Sequence, residues 1–68
     1  MDRVYVNIKK RRKELHMSQK ELAYKCVYTD HTTIAKMEKG QVDVSIGRLR
    51  KIAEVLDTTV VDLIMGGE

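Results

Sequence analysis

An all-α fold, a compact bundle of five short helices, is expected from this chain on three observations. The first is composition: 43% of the 68 residues are apolar, proline is absent, and there are only three aromatics and four glycines, which suits packed helices rather than a sheet or a disordered tail. The second is spacing, because apolar residues recur three and four apart along most of the chain, the period of one helix face. The third is punctuation: the periodic stretches open on serine, threonine or aspartate, whose side chains accept the free N–H groups of a helix start. A single domain over 1–68 is expected. A domain this small buries only about 60% of the surface its unfolded chain exposes, so its stability is modest or shared with a partner.

Val4, Ile8, Arg12 and Leu15 recur at helical spacing, which predicts an amphipathic first helix over residues 4–15. Lys9, Lys10, Arg11 and Lys13 lie on its outer side, and cations in a last turn suit the negative end of the helix dipole. Arg12 falls on the inward stripe and needs a partner there. His16 and Met17 link to a second helix starting at Ser18. Ser18 and Glu21 have the S-x-x-E spacing of a capping box, in which the hydroxyl accepts from the third helical N–H and the glutamate reaches back. Leu22, Ala23 and Cys26 form this helix's short apolar face, with Cys26 a small, buried apolar residue.

Periodicity breaks over residues 27–30, where Thr29 or Asp30 can cap a third helix. Ile34 and Met37 face inward there, leaving His31, Thr32, Thr33, Ala35 and Lys36 on or beside the other face. Gly40 ends this helix where a left-handed residue is often needed. Ser45 caps a fourth helix with Ile46, Leu49, Ile52, Ala53 and Leu56 inward and Arg48 and Lys51 on a solvated outer side. Thr59 opens a last short helix with Asp62 near its positive end. Val60, Leu63 and Ile64 can cover the core, which leaves Val61 and Met65 outside, and exposed apolar residues on a terminal helix point to a partner surface.

Charge is placed unevenly. The net charge is +3, yet residues 1–25 carry eight Lys or Arg against three acids, while 26–44 and 45–68 each come to −1. That asymmetry favours a polyanion approaching one face. One cysteine excludes an internal disulfide, and His16, His31 and Cys26 have no paired spacing that would bind a metal. No apolar run nears the roughly 18 residues of a membrane span, and the N-terminal segment has no signal-peptide core; a cytoplasmic protein is expected. The serines are accounted for as caps, no nucleophile, base and orienting group share a foreseeable pocket, and no cofactor fingerprint appears. An enzyme is therefore not expected, nor a small-molecule ligand.

Four words in order carry a resemblance: Ser18-Gln19-Lys20-Glu21-Leu22-Ala23, Ile34-Ala35-Lys36-Met37-Glu38-Lys39-Gly40, the run Leu49 to Leu56, and Asp62-Leu63. The chain resembles the lambda-repressor and Cro type of helix-turn-helix proteins, the Xre family, over roughly Val4 to Leu63. The resemblance implies that Glu38 is the partner of Arg12, a structural ion pair locking the first helix to the third. It implies that Gln19 clamps DNA backbone and steadies the recognition helix, and that the loop from Gln41 lies along phosphates. The chain also departs from the family. Ala23 to Ile34 is eleven steps where the family usually has ten, Cys26-Val27-Tyr28 replaces the usual small residue of the turn, and His16 stands where glycine is common. Val44 replaces a frequent proline, and Val61 a more usual acid.

The function expected is sequence-specific DNA binding by a transcriptional regulator, as a homodimer on a palindromic site in double-stranded DNA. A helix in the major groove reads base edges by hydrogen bonds and by contact with the thymine methyl, chemistry that His31, Thr32, Thr33 and Lys36 can supply. Gln19, Lys9, Lys13, Lys39 and Gln41 are the candidate backbone contacts, Ser18, Asp30 and Ser45 the caps, and Val61 and Met65 the dimer surface. The alternative is a protein-interaction module of the same fold, such as an antitoxin or the partner of a regulator, for which the altered turn and the acidic Asp30 speak.

Overall fold

The computed structural model describes residues 2–27 and 31–66. Its five helices run α1 Asp2–Glu14, α2 Gln19–Lys25, α3 Thr32–Glu38, α4 Ile46–Val55 and α5 Val60–Met65, with no strand among the described residues. α1 lies against both α3 and α5, and α2 against α3 and α4. One apolar core results. Ile8, Leu22, Ile34, Met37, Ile52 and Leu56 are wholly enclosed, with Val4, Tyr5, Met17, Ala23, Leu49, Ala53 and Leu63 around them.

Three apolar residues expected inside lie outside. Leu15 is past the end of α1, where the chain already turns, and is 36% exposed. Ile46 is the first residue of α4 and projects beyond the edge of the core formed by Leu49, Ile52 and Ala53. Ile64 is displaced because a six-residue helix has little inward surface: Leu63 takes it, with Val60 half-buried beside it. Tyr5 is core instead, which extends the inward stripe of α1 by a position the apolar spacing did not demand.

Ser18, Ser45 and Thr59 each accept a backbone N–H, from Glu21 at 2.9 Å, Arg48 at 3.3 Å and Asp62 at 3.0 Å. The Glu21 carboxylate turns to Lys25 Nζ, 3.4 Å away, rather than reaching back to the cap. α3 begins later than the turn residues suggested. Its N-cap is His31, in αR conformation and with no side-chain cap bond; Thr29 and Asp30, the expected caps, lie outside the described residues.

The helix ends share one geometry. His16, Val27, Gly40 and Asp57 all have positive φ, at 56°, 62°, 73° and 55°, immediately after α1, α2, α3 and α4. After α3, the Gly40 N–H donates to Met37 O and the Gln41 N–H to Lys36 O, both at 2.9 Å, the paired bonds of a Schellman cap. His16 with Met17 and Asp57 with Thr58 make the same pairs on α1 and α4, and Val27 N–H donates to Tyr24 O at 3.1 Å. Only one of the four is glycine. An L residue in this region costs about 1–2 kcal/mol, and a β-branched one is the worst fitted. Val27→Gly should therefore raise stability by about 1 kcal/mol, the relief of strain exceeding the extra entropy glycine gives the unfolded chain. A urea titration giving an unchanged or lower midpoint would contradict that conformation at Val27.

α1 also supplies polar side chains to the ends of other helices. Asn7, buried, donates from Nδ2 to Leu63 O at 2.7 Å and Gly66 O at 2.9 Å. Arg11 donates from Nε to Leu56 O at 2.9 Å and from Nη2 to Asp57 O at 3.3 Å. These carbonyls end α5 and α4 and have no partner within their own helix. At Gly66 a Cβ would collide with the carbonyl of Asp62, so only glycine brings the chain close enough for Asn7 to hold it.

Candidate nucleic-acid interface

The outward face of α3 is defined by what its inward face is bound to. Ile34 and Met37 are wholly buried, three residues apart on one side of seven residues of helix. His31, Thr32 and Lys36 are consequently exposed, and Thr33 and Ala35 are half-buried at the flanks. Lys39 and Gln41, just beyond the helix, are exposed as well. All four candidate base-contacting residues thus belong to one short segment. His31 stands at its cap rather than within the helix, and Thr33 is partly withdrawn.

The end of α3 is anchored by a polar network. Arg12 Nε donates to Glu38 Oε2 at 2.6 Å and Nη2 to Oε1 at 3.1 Å, a two-pronged pair with side chains 9% and 2% exposed. Arg12 Nη1 donates to Met17 O at 2.7 Å. Gln19 Nε2 donates to Glu38 Oε1 at 3.0 Å. The acceptor on Glu38 thus draws the amide of Gln19 inward, onto the end of α3. One carboxylate joins α1, the start of α2 and the end of α3. Fork-shaped Arg–carboxylate pairing fixes orientation as well as distance.

The basic cluster of α1 divides in two. Arg11, read as part of its outer side, is half-buried and holds the carbonyls after α4, with Glu14 Oε1 3.3 Å from its Nη1. Arg12 is buried. Lys9, Lys10 and Lys13 remain exposed. Asn7 and Arg11 are the structural polar contacts that apolar spacing missed. Both stand three or four residues from inward Val4 or Ile8, and a polar residue on an apolar stripe is the signal that could have found them.

Cys26 is half-buried. Burial pushes its thiol up from the ordinary cysteine value, against a smaller opposite pull from Lys51, so it lacks the thiolate character that reactivity needs. No group of three metal-ligating side chains occurs among the described residues. Nor is any of their helices long and apolar enough to cross a membrane.

No curated protein matches the chain. The sequence model of the helix-turn-helix family matches residues 8–63, which runs from the middle of α1 through α2 and α3 to Leu63 in α5. A buried-backed α3 fastened to α2, offering polar side chains outward, is what such a family requires, and the chain belongs to the lambda-repressor and Cro type of helix-turn-helix DNA-binding regulators.

Proposed function

We propose that this protein is a cytoplasmic transcriptional regulator that binds a palindromic operator as a homodimer, without cofactor or small-molecule ligand. The observation that carries the reading is the outward face of α3, where His31, Thr32 and Lys36 are exposed while Ile34, Met37 and Glu38 are held from behind. Thr33 joins them at the edge. These four would read bases, and Lys9, Lys13, Gln19, Lys39 and Gln41 would grip the backbone; contacts to phosphate set register, and contacts to base edges set choice. Gln19 reaches the backbone only by sharing its amide with Glu38 or through its main chain.

The second copy would dock through α5. Val61 and Met65 are 62% and 68% exposed on it, with Ile64 beside them. A two-fold pairing sets two recognition helices about one duplex turn, roughly 34 Å, apart. Selection from randomised duplexes should return an enriched site with two inverted half-sites, and sedimentation should show a dimer at tens of micromolar, with or without DNA. No enriched sequence would end the regulator reading. A monomer in both conditions would end the dimer alone.

The interaction-module reading has one observation of its own: Tyr24 and Val27, 82% and 83% exposed, put two large apolar side chains in water where α2 ends. Capture of a tight protein partner without DNA, with absent or salt-insensitive duplex binding, would favour it.

A further inference from the structure

An open groove of about 270 Å³ lies between α1 and α5. Its charged side chains are Lys10, Arg11 and Glu14 from α1 and Asp62 from α5. Two of the four are spent within the chain, because Arg11 and Glu14 pair at 3.3 Å and Arg11 also holds the carbonyls of Leu56 and Asp57. Lys10 and Asp62 are both exposed, and among the described residues neither side chain has an ion-pair or hydrogen-bond partner. We infer that in the homodimer Lys10 of each copy pairs with Asp62 of the other, so that two symmetry-related ion pairs flank the apolar contact of α5. The inference rests on the homodimer reading and adds to it the charges that select the partner and fix its register.

Three features lead there. The first is position: Val61 and Met65, four apart, share the outward face of α5, and Asp62 lies about 100° round the helix from Val61, on the side of the groove. The free charges therefore stand at the rim of the exposed apolar patch, where polar groups of an interface belong. The second is sign. A two-fold contact uses the same surface on both copies, so residue i meets j and j meets i; a surface with one free cation and one free anion can match itself, whereas one with a single sign would repel its copy. The third is that the two charges line one groove without closing on each other, and Lys10 is outside the set assigned to the DNA backbone. A second copy supplies both missing partners at once.

Mixing two charge-reversed variants tests it. Lys10→Glu and Asp62→Lys each turn both pairs into like-charge contacts, so each should raise the dimer dissociation constant about 10- to 30-fold at 0.1 M salt. The difference from wild type should shrink at 1 M salt, where the Debye length is about 3 Å. An equimolar mixture of the two variants should return to near wild-type affinity, because each meets in the other the charge it now needs; a pair closed within one chain would gain nothing by mixing. The backbone N–H of Asp62, not its side chain, donates to Thr59 Oγ1, so the substitution keeps the helix cap, and melting by circular dichroism checks each fold. Should Asp62→Lys not fold, Asp62→Asn takes its place, since mixed with Lys10→Glu it still leaves one attractive pair and no repulsive one. Sedimentation equilibrium reads every case. If the wild type dimerises and the variants keep its dissociation constant, or weaken without recovering on mixing, this inference is overturned and the homodimer stands. If the wild type is a monomer, both fall together.

Discussion

Arg12→Ala should destabilise the protein by about 3–5 kcal/mol, because it leaves the carboxylate of Glu38 buried without its counter-charge. A folded chain has only about 0.05–0.15 kcal/mol of stability per residue, so for 68 residues the loss is comparable with the whole. The damage extends past the pair, since Met17 O and the entry into α2 lose their donor as well. Glu38→Ala should be of similar size for the mirrored reason, stranding the guanidinium and freeing the Gln19 amide. The double substitution Arg12→Met with Glu38→Leu should recover much of the loss, because replacing a buried pair with apolar residues of similar volume is often close to neutral. Urea unfolding of the four proteins checks this. Single-variant losses below about 1 kcal/mol would mean that solvent reaches the pair and that α3 is held mainly by Ile34 and Met37.

Duplex affinity should fall about 1000-fold between 50 and 200 mM salt. Lys9, Lys13 and Lys39 from each of two protomers would neutralise about six phosphates, and each contact releases condensed counterions, giving a slope near −0.9 per phosphate. Lys13→Gln in both protomers should flatten the slope by about two contacts while leaving the preferred sequence unchanged. Arg11 should not behave this way: its guanidinium is spent on Leu56 O and Asp57 O, so Arg11→Gln should lower stability more than it alters the salt slope. A slope near −2 for the wild type would mean that the exposed lysines of α1 stay clear of the backbone. Titration of a fluorescent duplex over a salt series reads both.

The five helices were legible because helix starts are local chemistry. Ser18, Ser45 and Thr59 announce themselves by side chain, and the inward positions Val4, Ile8, Leu22, Ile34, Leu49 and Ile52 follow from spacing. The helix ends were harder. His16, Val27 and Asp57 carry none of glycine's freedom, so only the fold shows that they take the left-handed turn that Gly40 takes openly. Asn7, Arg11 and the inward turn of Gln19 were not legible because each serves an acceptor that tertiary packing brings near, up to 59 residues away for Asn7 with Gly66. The Arg12–Glu38 contact spans 26 residues and was reached through resemblance, not through spacing. Ile46, Ile64 and Leu15 went the other way: apolar spacing placed them inside, and the short reach of their helices left them out.

Discrimination between bases tests the role of α3 most directly. On the selected duplex and its single-base variants, Thr33→Ala and Lys36→Ala should erase about 1–3 kcal/mol of preference at particular positions, whereas Lys13→Ala should lower affinity for every duplex by the same factor. If the α3 variants lose affinity uniformly and keep the wild-type order of preference, the outward face of that helix does not read the sequence.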